Sequence, residues 1–294
     1  MKYGIALAGG GTRGAAHVGV LLALEENHLL PTAIAGASAG GIVAGLYASG
    51  MNAVHLKEVV TDLSIHWRKL IDPNLSGLLK AIGNLACHCS IGLSGLIKGN
   101  RLERYFLELI GERPLSSLCM PTIIPAVDLN TGHTIAYVDH LSKRLPLPDV
   151  HWTQNALVHE AMRASSAFPV VFRPKKHGEL YLVDGGVADN LPVNLLLASG
   201  VERVLAVDIS SHYEMPKRRD IVEIASHSLS IMQERLKNCT ARGEAYCLKP
   251  SLPEDAGLLT FDQMIACMEA GYQATIKKLP LIRSALAGSP PRKR

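Results

Sequence analysis

The chain has 294 residues, of which 48% are apolar and 19% charged, and its 30 basic and 26 acidic side chains give a formal charge of +4. This balance is that of a folded globular protein and excludes a disordered one. The charge is mild, and no basic stripe interleaved with aromatics is present, so nucleic acid is excluded as a partner.

Tyr3 to Ala8 is a short apolar run that ends in glycines, which predicts a buried strand. Ala15 to Glu26 has helical spacing, Ala33 to Ala37 is a second short strand, and Ile42 to Ala48 is a helix of small residues. Strand, helix, strand, helix within fifty residues predicts a parallel sheet with crossover helices. Residues 31–56 contain no Lys, Arg, Asp or Glu and are long enough to cross a bilayer. Gly36, Ser38, Gly40, Gly41, Gly45, Ser49 and Gly50 instead fit a buried strand, a tight turn and a closely packed helix. The apolar run after Lys2 breaks at Gly9-Gly10-Gly11, so no secretory leader is read there. A cytoplasmic protein, with room for peripheral membrane contact, is the expectation.

Residues 53–120 read as mainly helical, with a polar break at Asp72-Pro73-Asn74. Within them, Leu75 to Leu96 is apolar and interrupted by glycine. It reads as core or as a cap that touches lipid, core being the favoured reading, and residues 64–120 are taken as a cap-like region. Thr122 to Val127 and Thr134 to Val138 are predicted strands joined by a turn at Asn130-Thr131-Gly132. Leu180 to Val183 and Val204 to Ile209 are further strands, followed by helices around Ile221 to Lys237 and Leu259 to Leu279. No repeat or linker divides the chain, which predicts one domain over residues 1–280. A basic tail, 281–294, ends in Arg292-Lys293-Arg294. The six cysteines show no C-x-x-C spacing, and the thiols of Cys87-His88-Cys89 would converge poorly, so no metal site is expected. Reduced thiols fit a cytoplasmic compartment. Nothing specifies an oligomeric state.

Gly36-Ala37-Ser38-Ala39-Gly40 is G-x-S-x-G between a strand and a helix. Such a turn lifts a serine hydroxyl off the sheet edge, and Gly36 and Gly40 relieve the crowding on either side. Ser38 would also stand at a helix N-terminus, where developing negative charge is favoured. By itself the motif reads equally well as small residues that pack a helix on a sheet. Gly9-Gly10-Gly11-Thr12-Arg13-Gly14 follows the first strand and also satisfies G-x-G-x-x-G. A dinucleotide site would need an acidic residue at the end of the second strand. That strand ends in Ala37-Ser38-Ala39, and no Gly-Lys-Ser/Thr follows the glycines, so no nucleotide cofactor is expected. The same glycines can instead aim backbone N–H groups at one point as an oxyanion hole, with Arg13 adding positive potential, tying the loop down or forming a surface salt bridge.

A serine nucleophile needs a proton acceptor. His177, His212 and His227 come late enough in the chain for a Ser–Asp–His order, but each reads better as a surface or structural residue. Asp184 ends an apolar strand and is followed by Gly185-Gly186, which lets other groups approach it. If desolvated, it would be a stronger base than an ordinary aspartate. Asp208 is the second choice, and Asp128 is read as structural.

The glycine loop, G-x-S-x-G and Asp184-Gly185-Gly186, in this order, resemble the patatin-like phospholipases. The bacterial branch related to the catalytic domain of neuropathy target esterase is the nearest in pattern. Segments 95–99, 126–132, 163–169 and 187–192 carry the resemblance across residues 3–210, and Ala8 stands where many members have Asp. The resemblance implies an α/β fold, a three-layer α/β/α sandwich with a mostly parallel central sheet. It implies a Ser38–Asp184 dyad without histidine, an oxyanion hole from Gly9 to Gly14 supported by Arg13, and no metal or cofactor. The implied activity is a serine acyl hydrolase of lipase, phospholipase A or lysophospholipase type that acts on lipid esters. Phe168 and Phe172 are candidates for an acyl channel, with core packing the favoured role. A non-catalytic lipid-binding or regulatory module on the same fold is the alternative.

Overall fold

The computed structural model describes residues 1–77, 79, 94–140, 145–210, 221–240 and 242–288. Cys87-His88-Cys89, His212 and the terminal Arg292-Lys293-Arg294 lie outside the described residues. The strands are β1 (Gly4–Leu7), β2 (Ala33–Gly36), β3 (Thr122–Asp128), β4 (Thr134–Val138), β5 (Val150–Thr153), β6 (Lys175–His177), β7 (Leu180–Asp184), β8 (Val204–Val207) and β9 (Tyr246–Leu248). The helices are α1 (Ala15–Glu26), α2 (Ala39–Ala48), α3 (Ala53–His66), α4 (Asn100–Ile110), α5 (Val158–Ser165), α6 (Val193–Ala198), α7 (Ile221–Thr240) and α8 (Met264–Ala287).

The strands form one sheet in the order β5-β4-β3-β2-β1-β8-β9, with β7 added to β3 and β6 added to β7. The pairs β1–β2, β1–β8, β2–β3, β4–β5 and β8–β9 are parallel. Every residue of β1, β2, β3 and β8 is buried. Side chains alternate between faces along a strand, so continuous burial requires cover on both faces. This is the three-layer α/β/α sandwich, with a mostly parallel sheet in the middle. With few aromatics to fill it, the core is built from Ala, Val, Ile and Leu, and small residues let the layers approach closely. At the α1–α8 contact, a Cβ on Gly19 would strike the Met268 carbonyl, and one on Gly271 would strike that of Ala16.

β3 decides where the site forms. One of its edges pairs throughout with β4, while the other is divided between two strands. β2 takes Thr122 and Ile123, and β7 takes Ala126 to Asp128 in the antiparallel sense. Pro125, which has no N–H to donate, stands at the changeover. The parallel register ends with Ala35 paired to Ile123, and three residues further along the two segments come Ser38 and Ala126. Ala126 pairs with Asp184. The sheet thus returns the distant aspartate beside the end of β2.

Some elements differ from the sequence expectation. α2 starts at Ala39 rather than Ile42, because the chain turns directly from Ser38 into the helix. The last helix starts at Met264, after a short 3-10 turn at Phe261–Gln263. β5, β6 and β9 were not expected; none exceeds four residues, and neither β5 nor β6 contains a fully buried residue.

Candidate active site

Ser38 lies between β2 and α2 with φ 53 and ψ −121, a backbone conformation rarely adopted outside glycine. Its N–H donates to Ser165 Oγ at 3.0 Å, which helps to hold the turn. The flanking glycines are needed because the turn closes on itself. A Cβ on Gly36 would strike the Gly40 carbonyl, and one on Gly40 would strike that of Leu7. The strain at a sharp strand-to-helix turn is the mark of an exposed nucleophile.

The glycine loop leaves β1 and enters α1 through a 3-10 turn, Gly11–Gly14. It passes so near the serine that a Cβ on Gly9 would lie 3.0 Å from Ser38 Cβ. The Gly9 N–H donates to the Asn190 carbonyl at 3.0 Å, and the Thr12 N–H to that of Leu258 at 3.1 Å. Those two donors are therefore committed to anchoring the loop. The N–H groups of Gly10 and Gly11 have no hydrogen-bond partner among the described residues. Arg13 is buried and donates from Nε to the Gly10 carbonyl at 3.1 Å, so it ties the loop down and is not a surface residue. Thr12 Oγ1 donates to the Gly257 carbonyl at 2.8 Å and fastens the turn to a late loop. Gly14 leads into α1, against Ala39.

Asp184 is completely buried at the end of β7. Its Oδ1 accepts the Gly186 N–H at 2.8 Å, and Gly185 and Gly186 open the 3-10 turn beyond it. Its Oδ2 is buried without a partner of good hydrogen-bond geometry among the described residues. Burial pushes the carboxyl from 3.8 up to about 7, against the opposing pull of the nearby Ser38 hydroxyl and the Gly186 N–H. A carboxylate that is costly to keep charged, with a free oxygen beside a serine hydroxyl, is suited to accept its proton.

Ser38 and Asp184 line one pocket with Gly9, Gly10, Arg13 and Asn190. Phe168 forms part of its wall, while Ser230, Gln233 and Glu234 of α7, with Leu258, cover it. Among the described residues no histidine lines it. His177 instead lies against the Asn155 carbonyl, in contact at 3.0 Å through Nε2. Asp208 is unsuited to be the base. Burial would raise its carboxyl, but Lys237 and Ser210 outweigh that and bring it down to about 2. Its Oδ2 is held by Lys237 Nζ at 2.8 Å and by Lys249 Nζ at 3.0 Å. Asp128 accepts hydrogen bonds from Asn130, Thr131 and Tyr181 and fixes the turn after β3. Phe172 lies under the Arg163 guanidinium, 5.3 Å from the ring centre, and not in the pocket wall. Among the described residues, none between 64 and 120 lines the pocket, no group of side chains is arranged to hold a metal, and no helix is long and apolar enough to cross a membrane.

Ser165, Asn190 and the α7 residues are the parts of the site that motif reading missed. Ser165 and Asn190 fall within segments 163–169 and 187–192, which carried the family resemblance without a role. The α7 residues had no such signal.

The sequence profile of a family described as patatin-like phospholipase matches residues 5–197. An uncharacterised NTE family protein of Mycobacterium tuberculosis is 26% identical over 316 residues, covering 98% of this chain and 47% of the relative. A lysophospholipase, NTE1, of Debaryomyces hansenii is 27% identical over 214 residues, covering 71% of this chain and 12% of the relative. The chain thus spans about half the length of the mycobacterial relatives and far less of the yeast one. Among solved structures, VipD from Legionella pneumophila superposes with a TM-score of 0.51 at 16% identity, over 95% of this chain and 67% of VipD, which shows a shared fold.

Proposed function

The chain belongs to the patatin-like phospholipase family, and from that premise we propose that it hydrolyses carboxylic esters of lipids through a Ser38–Asp184 dyad and an acyl-enzyme. The observation that carries this reading is Asp184: wholly buried, raised to about 7, with one oxygen unpaired beside Ser38 on its strained turn.

In the first half-reaction Asp184 takes the hydroxyl proton as Ser38 Oγ bonds to the ester carbonyl carbon. The carbonyl electron pair moves onto oxygen, and the N–H groups of Gly10 and Gly11 stabilise the resulting oxyanion, each donor contributing about 3 kcal/mol in comparable sites. Asn190, Thr12 and Arg13 keep those donors in position. When the tetrahedral species collapses, the ester C–O bond breaks and the leaving alkoxide takes the proton from Asp184. Water, deprotonated by the same carboxylate, then attacks the acyl-enzyme, and Ser38 leaves as a hydroxyl. This cycle needs no histidine and no metal. The name of the yeast relative supports a lysophospholipid as the ester, and the description of the family a phospholipid.

A fluorophosphonate probe should label the protein at Ser38, and p-nitrophenyl esters should be hydrolysed. Ser38→Ala should lose both the label and turnover, and Asp184→Asn should lose most turnover with the fold intact by circular dichroism. Undiminished hydrolysis by Ser38→Ala would remove the proposal.

A further inference from the structure

Helix α7 covers the pocket, and its polarity is inverted. Ser226 and Lys237 are buried, and Ser230, Gln233 and Glu234 face the pocket. The exposed face carries Ile221 (84% exposed), Ile224 (51%) and Met232 (65%), together with Ile231 and Leu236. These positions recur at helical spacing and form one stripe. A helix that lies on a core normally buries its apolar stripe and wets its polar one. This helix is held down by polar contacts instead: Lys237 Nζ lies 2.8 Å from Asp208 Oδ2 and 2.6 Å from Ser210 Oγ, and Glu234 of the same helix lies 2.6 Å from it.

Two further exposed apolar residues neighbour pocket-lining ones in the chain. Leu259, exposed, follows the pocket residue Leu258, and Val170, also exposed, comes two residues after the pocket residue Phe168. Arg235 is a cation within the apolar stripe; Glu223 and Glu234 are part-exposed on the flank of α7, where Glu234 is paired with Lys237 at 2.6 Å. Apolar side chains around a lone cation match a bilayer interface that carries anionic headgroups.

We propose that the outward face of α7, with Leu259 and Val170, is a docking surface for an anionic lipid bilayer. It sets the mouth of the pocket against the layer that holds the ester. This inference rests on the lipid-hydrolase reading for its purpose, but docking is measured independently of catalysis.

The test uses the full chain, sedimented with sucrose-loaded vesicles of phosphatidylcholine containing phosphatidylglycerol, and assays p-nitrophenyl butyrate in parallel. The variant Ile224→Glu/Met232→Glu places carboxylates on the stripe without touching the pocket. The control Leu30→Glu alters an exposed apolar residue just before β2, at the opposite end of the sheet from Ser38. Wild type and control should sediment with the vesicles. The double variant should bind at least about ten-fold more weakly while hydrolysing the soluble ester within two-fold of wild type. Equal binding by wild type and double variant, equal loss in the control, or no vesicle binding by wild type overturns the proposal. So does a wild-type dimer in light scattering that the double variant dissolves, because a second copy of the chain would then be what covers the stripe. Vesicle binding without ester hydrolysis would sink the hydrolase reading and leave the docking surface standing.

Discussion

Helix α2, which begins directly after Ser38, and helix α7, which lines the same pocket, bury opposite kinds of surface. Apart from Ile42, every residue of α2 is buried, and its stretch of Ala, Gly, Val, Leu and Tyr carries no charge. In α7 the buried side chains among the described residues are Ser226 and Lys237, while isoleucines and a methionine face outward. The proposed nucleophile is therefore mounted on an element fixed by close packing, whose position a single added methyl group disturbs. Its cover is fastened by a few polar contacts and presents apolar surface to the exterior. Rigidity is placed where the reacting atoms must meet, and the polar fastening where the pocket opens.

The sharpest way to break this contrast is at the head of α2. Ser38→Ala should reduce turnover by about 10³-fold or more and abolish probe labelling, since the nucleophile is irreplaceable in an acyl-enzyme route.

Second in size is the pH dependence of Asp184. Its folded pKa, about 7, lies above the unfolded value, so its contribution to stability is present at low pH and is lost as pH rises from about 4 through 7. Asp184→Asn removes that loss. The variant should melt well above wild type at pH 9, and the two should converge near pH 4 in thermal scans. Turnover by wild type should rise through the same range, as the base must be ionised. A wild-type stability unchanged between pH 4 and 9, relative to Asp184→Asn, would refute the buried-carboxylate account.

Lys237→Met tests the fastening of the cover. Removing one partner of a buried pair costs about 3 kcal/mol, and Lys249 remains to compensate Asp208. Urea denaturation should show a loss of that order or somewhat less. In α2, Gly40→Ala should cost about 1–3 kcal/mol by overpacking, because the added Cβ meets the Leu7 backbone, which has no room to yield. Ile231→Ser, on the outward stripe of α7, should change solution stability by less than about 0.5 kcal/mol. If Ile231→Ser cost as much as Gly40→Ala, the stripe would be packed against protein and the contrast between the helices would fail.

Much of the first fifty residues could be read directly. β1, α1, β2 and most of α2 follow from short apolar runs punctuated by glycine, and these elements pack where their patterns say. Ser38, the glycine loop and Asp184 were identifiable because each residue type stands at the end of a strand, where a parallel sheet gathers its loops. The short β5, β6 and β9 were not legible. Lys175–His177 is polar throughout, and its pairing with β7 comes from the neighbour strand and not from its own pattern. Asn190 and Ser165 were invisible as site residues for a related reason. Each acts through contacts to backbone groups, of Gly9 and of Ser38 respectively, and such contacts leave no periodic trace.

α7 is the instructive case. Its sequence is amphipathic and was read as a helix over nearly its full length, but a pattern gives the two faces without saying which is turned inward. The local elements and the chemistry-bearing residues were thus set by the order of amino acids along the chain, because strand, turn and helix preferences act over a few residues. The meeting of Ser38 with Asp184 across the divided edge of β3, the burial that raises the carboxyl, and the inversion of α7 were decided by tertiary structure. Each depends on which surfaces face each other, and contacts between residues far apart in the chain alone determine that.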